Sequence, residues 1–190
     1  MGRLANLLSY YFCLAKGELS GRILDAGCGS GLLSFLIAGV GREKREAIEL
    51  IGVDIYEKFL KIAEGYDHKI LCSVTHLPFR DKSIDSSLSI EVIEHLSKKD
   101  GIKFLDELER VTRKYIALST PFGYKKRESP NMWMKHRSGW VPKDFRVREY
   151  KIRYLPNFSK KRWMFIPFAI AYMFWIPSIT DKIIAFKQID

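Results

Sequence analysis

The chain has 190 residues, enough for one domain with a full core, and its 47% hydrophobic and 28% charged residues are ordinary for a folded protein. Three cysteines, Cys13, Cys28 and Cys72, are odd in number and show no metal-type spacing. They argue against a disulfide scaffold and favour free thiols in a reducing cytoplasm. The first residues lack a signal-peptide pattern because polar residues soon interrupt their apolar run. We therefore expect a single cytoplasmic domain over residues 1–190.

The net charge of +10 is unevenly distributed along the chain. Residues 1–120 hold 17 Lys and Arg against 17 Asp and Glu, whereas residues 121–190 hold 15 against 5. This asymmetry indicates an anionic partner for the last third, either phospholipid headgroups or a nucleic acid. A solvated basic surface is the alternative.

Strand and helix patterns alternate over the first two thirds of the chain. Apolar steps of three and four predict a leading helix over residues 3–17. Short apolar runs predict strands over 22–25, 50–54, 69–72, 86–90 and 115–119. Amphipathic runs predict helices over 30–38, 56–65 and 100–113, the last capped by Asp100. Such alternation predicts a parallel sheet with ligands at the carboxyl ends of its strands.

After Pro121 the pattern becomes irregular. Residues 122–140 mix basic and aromatic side chains with Gly and Pro, as in a loop beside a substrate. The pattern then predicts a short helix over 142–147, with Pro142 in its first turn. It also predicts a strand over 148–155 and a final strand over 183–187.

The first predicted strand ends in a turn with glycines at alternate positions, Gly27, Gly29 and Gly31. Glycines let the backbone turn sharply and let a ligand approach with no Cβ in the way. The following helix directs its N-terminal amides into the same turn. The spacing differs from the G-x-G-x-x-G of dinucleotide-binding folds. In addition, Asp25 precedes the first glycine by two places, where it would repel a pyrophosphate but suits a ligand with an ammonium group.

The stretch ILDAGCGSG resembles motif I of the class I S-adenosylmethionine (SAM)-dependent methyltransferases. Residues 51–55 resemble that family's second strand with its acidic end, and residues 77–79, 83–85 and 89–96 resemble the LPF…FD…EVIEHL signature of its small-molecule ("type 11") branch. The resemblance covers roughly residues 20–120. It implies an α/β, Rossmann-like three-layer sandwich with a seven-stranded, mostly parallel sheet and an antiparallel last strand.

The resemblance also implies different roles for three parts of the chain. A leading helix (1–19) precedes the SAM-binding core (20–120), and a basic and aromatic substrate-side region with the closing strands (121–190) follows. The methionine end of SAM would lie against the glycine turn, the ribose against Asp54 and the adenine against Ile55, Ser73 and Val74. Ser73 stands where the family usually has an Asp, and a hydroxyl is a weaker partner than a carboxylate. The candidate cofactor-binding residues are Asp25, Gly27, Cys28, Gly29, Gly31, Asp54, Ile55, Ser73, Val74 and Glu91.

Glu91, Glu94 and His95 have the spacing i, i+3, i+4, which puts them on one face if this turn is helical. His95 is the natural base for taking a proton from a hydroxyl or amine acceptor. The alternative is a pair of residues that only fixes the local backbone. The candidate catalytic residues are His95, Glu94 and His136.

A metal site is a further interpretation of the same residues. E-x-x-E-H together with residues 136–140 resembles the two halves of the metal site in small-RNA 2′-O-methyltransferases. Two carboxylates and two imidazoles suit a divalent ion that activates a hydroxyl. The ligands, if a metal is bound, would be Glu91, Glu94, His95 and His136. Many relatives carry the same motif with no metal known.

Residues 163–180 form an uncharged run of 18 residues. At ~1.5 Å per residue it reaches ~27 Å, short of a ~30 Å hydrocarbon core, and Pro167 and Pro177 interrupt it. We therefore do not expect a transmembrane helix. Two alternatives stay open: contact of residues 159–180 with an anionic membrane surface, or a buried lid over an apolar substrate pocket.

The favoured function is methyl transfer from SAM, with S-adenosylhomocysteine as product, to a hydroxyl or amine of a small apolar or lipid-like acceptor. The alternatives are an RNA methyltransferase, with or without metal-assisted 2′-O chemistry, and a SAM-binding regulator without catalysis. Nothing in the sequence indicates the oligomeric state.

Overall fold

The computed structural model describes residues 20–34, 46–156 and 180–189. Within them, the strands are β1 (Gly21–Ala26), β2 (Ile48–Asp54), β3 (His68–Leu71), β4 (Ile84–Ile90), β5 (Thr112–Pro121), β6 (Lys151–Pro156) and β7 (Thr180–Gln188). The helices are α1 (Glu57–Ile62), α2 (Lys98–Val111) and α3 (Pro142–Arg146), with 3-10 turns at Ile93–His95 and Met132–Met134. Each of the five core strands predicted from the sequence is present within a few residues of its predicted bounds.

The strands form one sheet in the order β3-β2-β1-β4-β5-β7-β6. Strands β1 to β5 are parallel, and β7 runs antiparallel to both β5 and β6. The predicted seven-stranded, mostly parallel Rossmann-like sheet with an antiparallel last strand is confirmed. Because the strand order turns back between β1 and β4, a crevice opens at their carboxyl ends, where sheets of this type bind ligands.

The core lies on both faces of the sheet. One cluster packs Phe104 and Leu108 of α2, together with Trp140, against the sheet, and a second cluster packs Leu33 against Ile23 on the other side. All seven residues of β4 are buried, as expected for a central parallel strand.

Two of the buried serines of β4 have hydrogen-bond partners. The hydroxyl of Ser87 lies 2.6 Å from that of Thr112, and Ser89 donates to the carbonyl of Ala26 at 2.9 Å. Because these hydroxyl groups are hydrogen-bonded, burying them among apolar side chains costs little free energy.

Helix α2 begins earlier than its sequence pattern indicates. The prediction that Asp100 caps it is wrong: Ser97 is the N-cap, and its hydroxyl accepts from the amide of Asp100 at 3.1 Å. Ser97 in turn donates to the Asp100 carboxylate at 2.6 Å. An acidic residue three places after a Ser cap reinforces the same turn, so both residues contribute to the start of the helix.

Several sequence predictions lie outside the described residues. These are the leading helix over 3–17, most of the helix over 30–38 (residues 32–34 are described and helical), and the uncharged run over 163–180 apart from its final residue. No helix in the described ranges is long and apolar enough to cross a membrane.

Asp85 links the amino ends of β1, β4 and β5. Its side chain is 6% exposed and accepts from the amide of Arg22 at 2.9 Å, while Arg113 and Lys114 approach Oδ1 at 2.7 and 2.9 Å. Burial alone would raise the pKa of Asp85, but these hydrogen bonds and charges outweigh it and lower the pKa to about 2.

We expect Asp85→Asn to lose about 1–2 kcal/mol of unfolding free energy at pH 7, since the two side-chain cations are half exposed and partly screened. The folded pKa lies below the unfolded value of about 4, so this contribution is complete above that value and disappears as the pH falls towards about 2. Urea denaturation of both proteins at pH 7 and pH 2 measures the effect. An equal difference at the two pH values would contradict it.

Candidate functional site

The glycine turn after β1 has the open conformation expected from the sequence. Gly27, Gly29 and Gly31 have φ angles of 81°, 54° and 92°, in the region that favours glycine. A Cβ on Gly27 would collide with the side chain of Val92, whereas one on Gly29 would meet nothing within 4 Å. The backbone at Gly29 therefore faces open space that a ligand can enter.

Asp54 connects the end of β2 to this turn. Its Oδ2 accepts from the amide of Gly29 at 2.9 Å and its Oδ1 from the amide of Tyr56 at 2.8 Å. Burial raises the pKa of Asp54, and the two amide hydrogen bonds oppose that shift. The next side chain, Ile55, is 40% exposed and offers an apolar surface beside the carboxylate.

Asp25 lies inside the fold, with none of its surface exposed. Its Oδ2 accepts from the hydroxyl of Tyr66 at 2.6 Å. The Tyr66 ring occupies the space where a Cβ on Gly52 would lie. Tyr66 was not predicted as a site residue, because it belongs to no motif.

The remaining cofactor candidates lie around the same crevice. Cys28 is buried, which raises the pKa of its thiol and keeps it protonated. The Ser73 hydroxyl lies 2.9 Å from the hydroxyl of Thr75 and accepts from the Thr75 amide at 3.3 Å, so it takes part in a local turn. Val74 is buried beside it.

Glu91 follows β4 in an uncommon backbone conformation, with a φ angle of 59°. Its Oε1 accepts from the hydroxyl of Ser119 at 3.1 Å, and its Oε2 lies 2.9 Å from Nζ of Lys182. The side chains of Glu91 and Lys182 are 17% and 9% exposed. Glu91 thus forms a largely buried ion pair at the ends of β4, β5 and β7.

Glu94 is almost completely buried. Its Oε2 accepts from the hydroxyl of Thr120 at 3.1 Å, whereas its buried Oε1 has no hydrogen-bond partner among the described residues. Burial, and then the charge of Glu91, raise the pKa of Glu94 well above its usual value. The raised pKa favours the protonated form of this carboxyl group.

Glu91, Glu94 and His95 do not share a helix face, because the helical turn covers only Ile93–His95 and Glu91 precedes it in a left-handed conformation. Instead, His95 meets His136, with ring centroids 5.0 Å apart. Glu94, His95 and His136 can each direct one ligand atom to a common point, these atoms lying within 4.8 Å of one another.

Both histidines have a defined tautomer. Nδ1 of His95 lies 3.0 Å from the carbonyl of Lys135, and Nδ1 of His136 lies 2.6 Å from that of Lys125. Since a carbonyl only accepts, each Nδ1 carries the proton and each Nε2 keeps a lone pair. Burial lowers the pKa of His95 to about 4 and also lowers that of His136, so both rings are neutral at physiological pH.

The loop of residues 122–140 closes over this turn. The amides of Arg137 and Ser138 donate to the carbonyl of Glu94 at 2.8 and 3.2 Å. The buried Trp140 donates through its ring nitrogen to Ser138 at 2.8 Å and to the Ile93 carbonyl at 3.3 Å. Packing of Trp140 thus holds the loop in place and brings His136 to His95.

Ser119, Thr120 and Lys182 are site residues that the sequence analysis missed. Ser119 and Thr120 are polar residues at the carboxyl end of a predicted strand. Because sheets of this type bind ligands at that end, their position could have indicated them as site residues. Lys182 belongs to no motif, and its partner Glu91 is distant in sequence, so only the antiparallel pairing of β5 with β7 brings them together.

Comparison with known proteins agrees with this geometry. Residues 24–115 match the family described as "Methyltransferase domain". A tRNA (carboxymethyluridine(34)-5-O)-methyltransferase of Arabidopsis thaliana is 33% identical over 93 residues, which are 48% of this chain and 21% of that protein. A ubiquinone biosynthesis O-methyltransferase of Thiobacillus denitrificans is 26% identical over 123 residues, 53% of this chain and 50% of that protein.

A solved SAM-dependent methyltransferase from Archaeoglobus fulgidus superposes with a TM-score of 0.65 at 20% identity. The superposition covers 98% of this chain and 95% of that one. At that identity, the likeness shows the fold. The curated relatives are longer, and the chain spans half of their length or less.

The sheet order and the superposition together show the fold of class I SAM-dependent methyltransferases. Residues 24–115, just under half of the chain, match the methyltransferase domain family.

The Glu91–Lys182 ion pair gives a stability prediction. Lys182→Met leaves a largely buried carboxylate without its cation, and we expect a loss of about 2–4 kcal/mol of unfolding free energy. The double variant Glu91→Gln/Lys182→Met removes both charges and should be more stable than Lys182→Met alone. Urea denaturation of the single and double variants gives the coupling energy. Lys103→Met, at an exposed position of α2, is the control, and strictly additive losses at 91 and 182 would contradict a direct interaction.

Proposed function

We propose that this protein is a SAM-dependent methyltransferase that methylates a hydroxyl or amine. The observation that carries the proposal is the hydrogen bond between the Asp54 carboxylate and the Gly29 amide. It places an acidic strand end and an open glycine turn at the crevice between β1 and β4, where sheets of this topology bind their ligands.

The cofactor roles follow from position. SAM, when bound, supplies an electrophilic methyl group, and the protein has to align a nucleophile with it. The glycine turn receives the methionine end, Asp54 accepts from the ribose hydroxyls, and the exposed face of Ile55 packs on the adenine. Ser73 and Val74 line the side of the site that receives the adenine. Asp25 acts from the interior, through its hydrogen bond with Tyr66.

His95 is the proposed proton acceptor. The hydrogen bond from Nδ1 to the Lys135 carbonyl fixes the ring and leaves the lone pair of Nε2 available. The ring is neutral at physiological pH, as an acceptor must be, although its lowered pKa makes it a weak base. Glu94 and His136 lie beside it and complete the polar wall of the site.

The same residues fit a divalent cation in part. Glu94 has an unpartnered buried oxygen, and His95 and His136 present unprotonated nitrogens, which together make a three-ligand set of one carboxylate and two imidazoles. Glu91 is held by Lys182 and Ser119 and lies outside this set. A metal held there would act as a Lewis acid on an acceptor oxygen.

The acceptor has two candidate classes. A small molecule is supported by the ubiquinone-pathway relative. Two points stay predictions: that this small molecule is apolar or lipid-like, and that residues 159–180 contact a membrane surface. Both depend mainly on residues outside the described ranges. RNA is the second candidate, supported by the tRNA-modifying relative and by the basic residues of 122–140.

Asp54→Asn should weaken SAM binding at least tenfold, about 1.4 kcal/mol. A single amide oxygen cannot replace two carboxylate oxygens that accept from Gly29 and Tyr56. Isothermal titration calorimetry with SAM measures the change, and Asp81→Asn, at an exposed carboxylate, is the matched control. A wild-type protein with no affinity for SAM would refute the proposed function.

His95→Gln should keep SAM affinity and reduce turnover by about 10²–10⁴-fold, the usual contribution of a general base. Release of S-adenosylhomocysteine from labelled SAM, with small-molecule, lipid and RNA pools as acceptors, measures turnover. His76→Gln is the control. Turnover by the wild type would exclude a purely regulatory SAM-binding protein, and normal turnover by His95→Gln would show that another group takes the proton.

A further inference from the structure

We propose that the acceptor carries a phosphate group, bound beside the two histidines by Arg127, Lys135 and Arg137, here called the loop cations. This inference rests on the proposed function, because it assigns a chemical class to the acceptor of the same site.

Backbone hydrogen bonds place the loop cations directly at the histidine pair. The His136 amide donates to the carbonyl of Arg127 at 3.4 Å, and the Lys135 carbonyl accepts from the His95 ring. The amide of Arg137 donates to the Glu94 carbonyl at 2.8 Å. All three residues are exposed. Their side chains therefore start from the rim of the site.

The loop cations lack the carboxylate partners that four arginines elsewhere in the described chain have. Arg22, Arg110, Arg113 and Arg148 each pair with at least one carboxylate. In the described part of the chain, no carboxylate forms an ion pair with any of the loop cations. The acidic residue of this loop, Glu128, lies 3.4 Å from Lys126.

The carboxylates of the site do not oppose an anion there. Glu91 is neutralised by Lys182, and Glu94 is buried behind the loop. The rim is thus a region of uncompensated positive charge.

A phosphate group fits this arrangement better than a neutral acceptor. Guanidinium groups bind phosphate oxygens through paired N–H donors, and a lysine adds a point charge. The exposed rings of Tyr124 and Trp133 lie on the same loop and offer surface for the body of the acceptor. A small phosphorylated molecule, an RNA phosphodiester and a phospholipid headgroup share this chemistry.

The test uses the four histidines of the 190-residue chain as reporters. Their imidazole signals are followed by NMR during titration with inorganic pyrophosphate at constant ionic strength. In the wild type, His95 and His136 should shift with saturation, whereas the exposed His68 and His76 should not. Arg127→Gln/Arg137→Gln should weaken the apparent affinity at least tenfold. Lys103→Gln/Arg146→Gln, which removes two exposed cations elsewhere, should leave it unchanged.

Competition identifies the source of the phosphate. Displacement of pyrophosphate by a short oligouridylate assigns an RNA phosphodiester, and displacement by phosphatidylglycerol vesicles assigns a lipid headgroup. Displacement by neither assigns a small phosphorylated acceptor. The inference is overturned if His95 and His136 do not shift, if all four histidines shift alike, or if the two double variants bind equally.

Calorimetry with SAM on the same samples separates this inference from the proposed function. If the protein binds pyrophosphate but not SAM, the proposed methyltransferase function is wrong and the phosphate site stands. If it binds SAM but not pyrophosphate, the phosphate site is wrong and the proposed function stands.

Discussion

The carboxylate of Asp54 joins β2 to the turn that follows β1, next to the crevice between β1 and β4. It ends β2 and accepts from the backbone of the turn that ends β1, so the glycine turn is held against the neighbouring strand. A glycine turn by itself is flexible. Because a carboxylate on the neighbouring strand holds it, the open backbone at Gly29 lies at a fixed place in the sheet, and the rest of the site is built outwards from there.

On the other side of the crevice, the polar groups are arranged so that little net charge is buried. Glu91 is paired with Lys182, burial and the charge of Glu91 raise the pKa of Glu94, and the two histidines are neutral rings with fixed tautomers. Burial of isolated charges is costly, and a site that excludes water has to avoid it. The unpartnered oxygen of Glu94 and the two free imidazole nitrogens are the groups that remain available to a ligand.

The sequence predicted the parallel sheet and the glycine turn well, because both depend on local signals. Central strands such as β4 are buried on both faces and give apolar runs, and the glycine conformations follow from the spacing of Gly27, Gly29 and Gly31. Contacts between distant segments were not predicted in the same way. Tyr66 reaches Asp25 across 41 positions and Lys182 reaches Glu91 across the sheet. The meeting of His136 with residues 94 and 95 was expected from a family resemblance alone, since no periodicity links a loop to a turn that far away.

The position of the loop of residues 122–140 in the fold explains where part of the positive charge lies. The sequence shows only that positive charge is concentrated after residue 120. In the fold, part of that charge comes to the rim of the histidine pair, through a loop held by the buried Trp140 and by amides that donate to the Glu94 carbonyl. These cations stand on a backbone that is hydrogen-bonded to the site. Their attachment to the turn that carries Glu94 and His95 couples the recognition of an anion to the position of the proposed base, so binding of the acceptor and alignment of its nucleophile depend on the same loop.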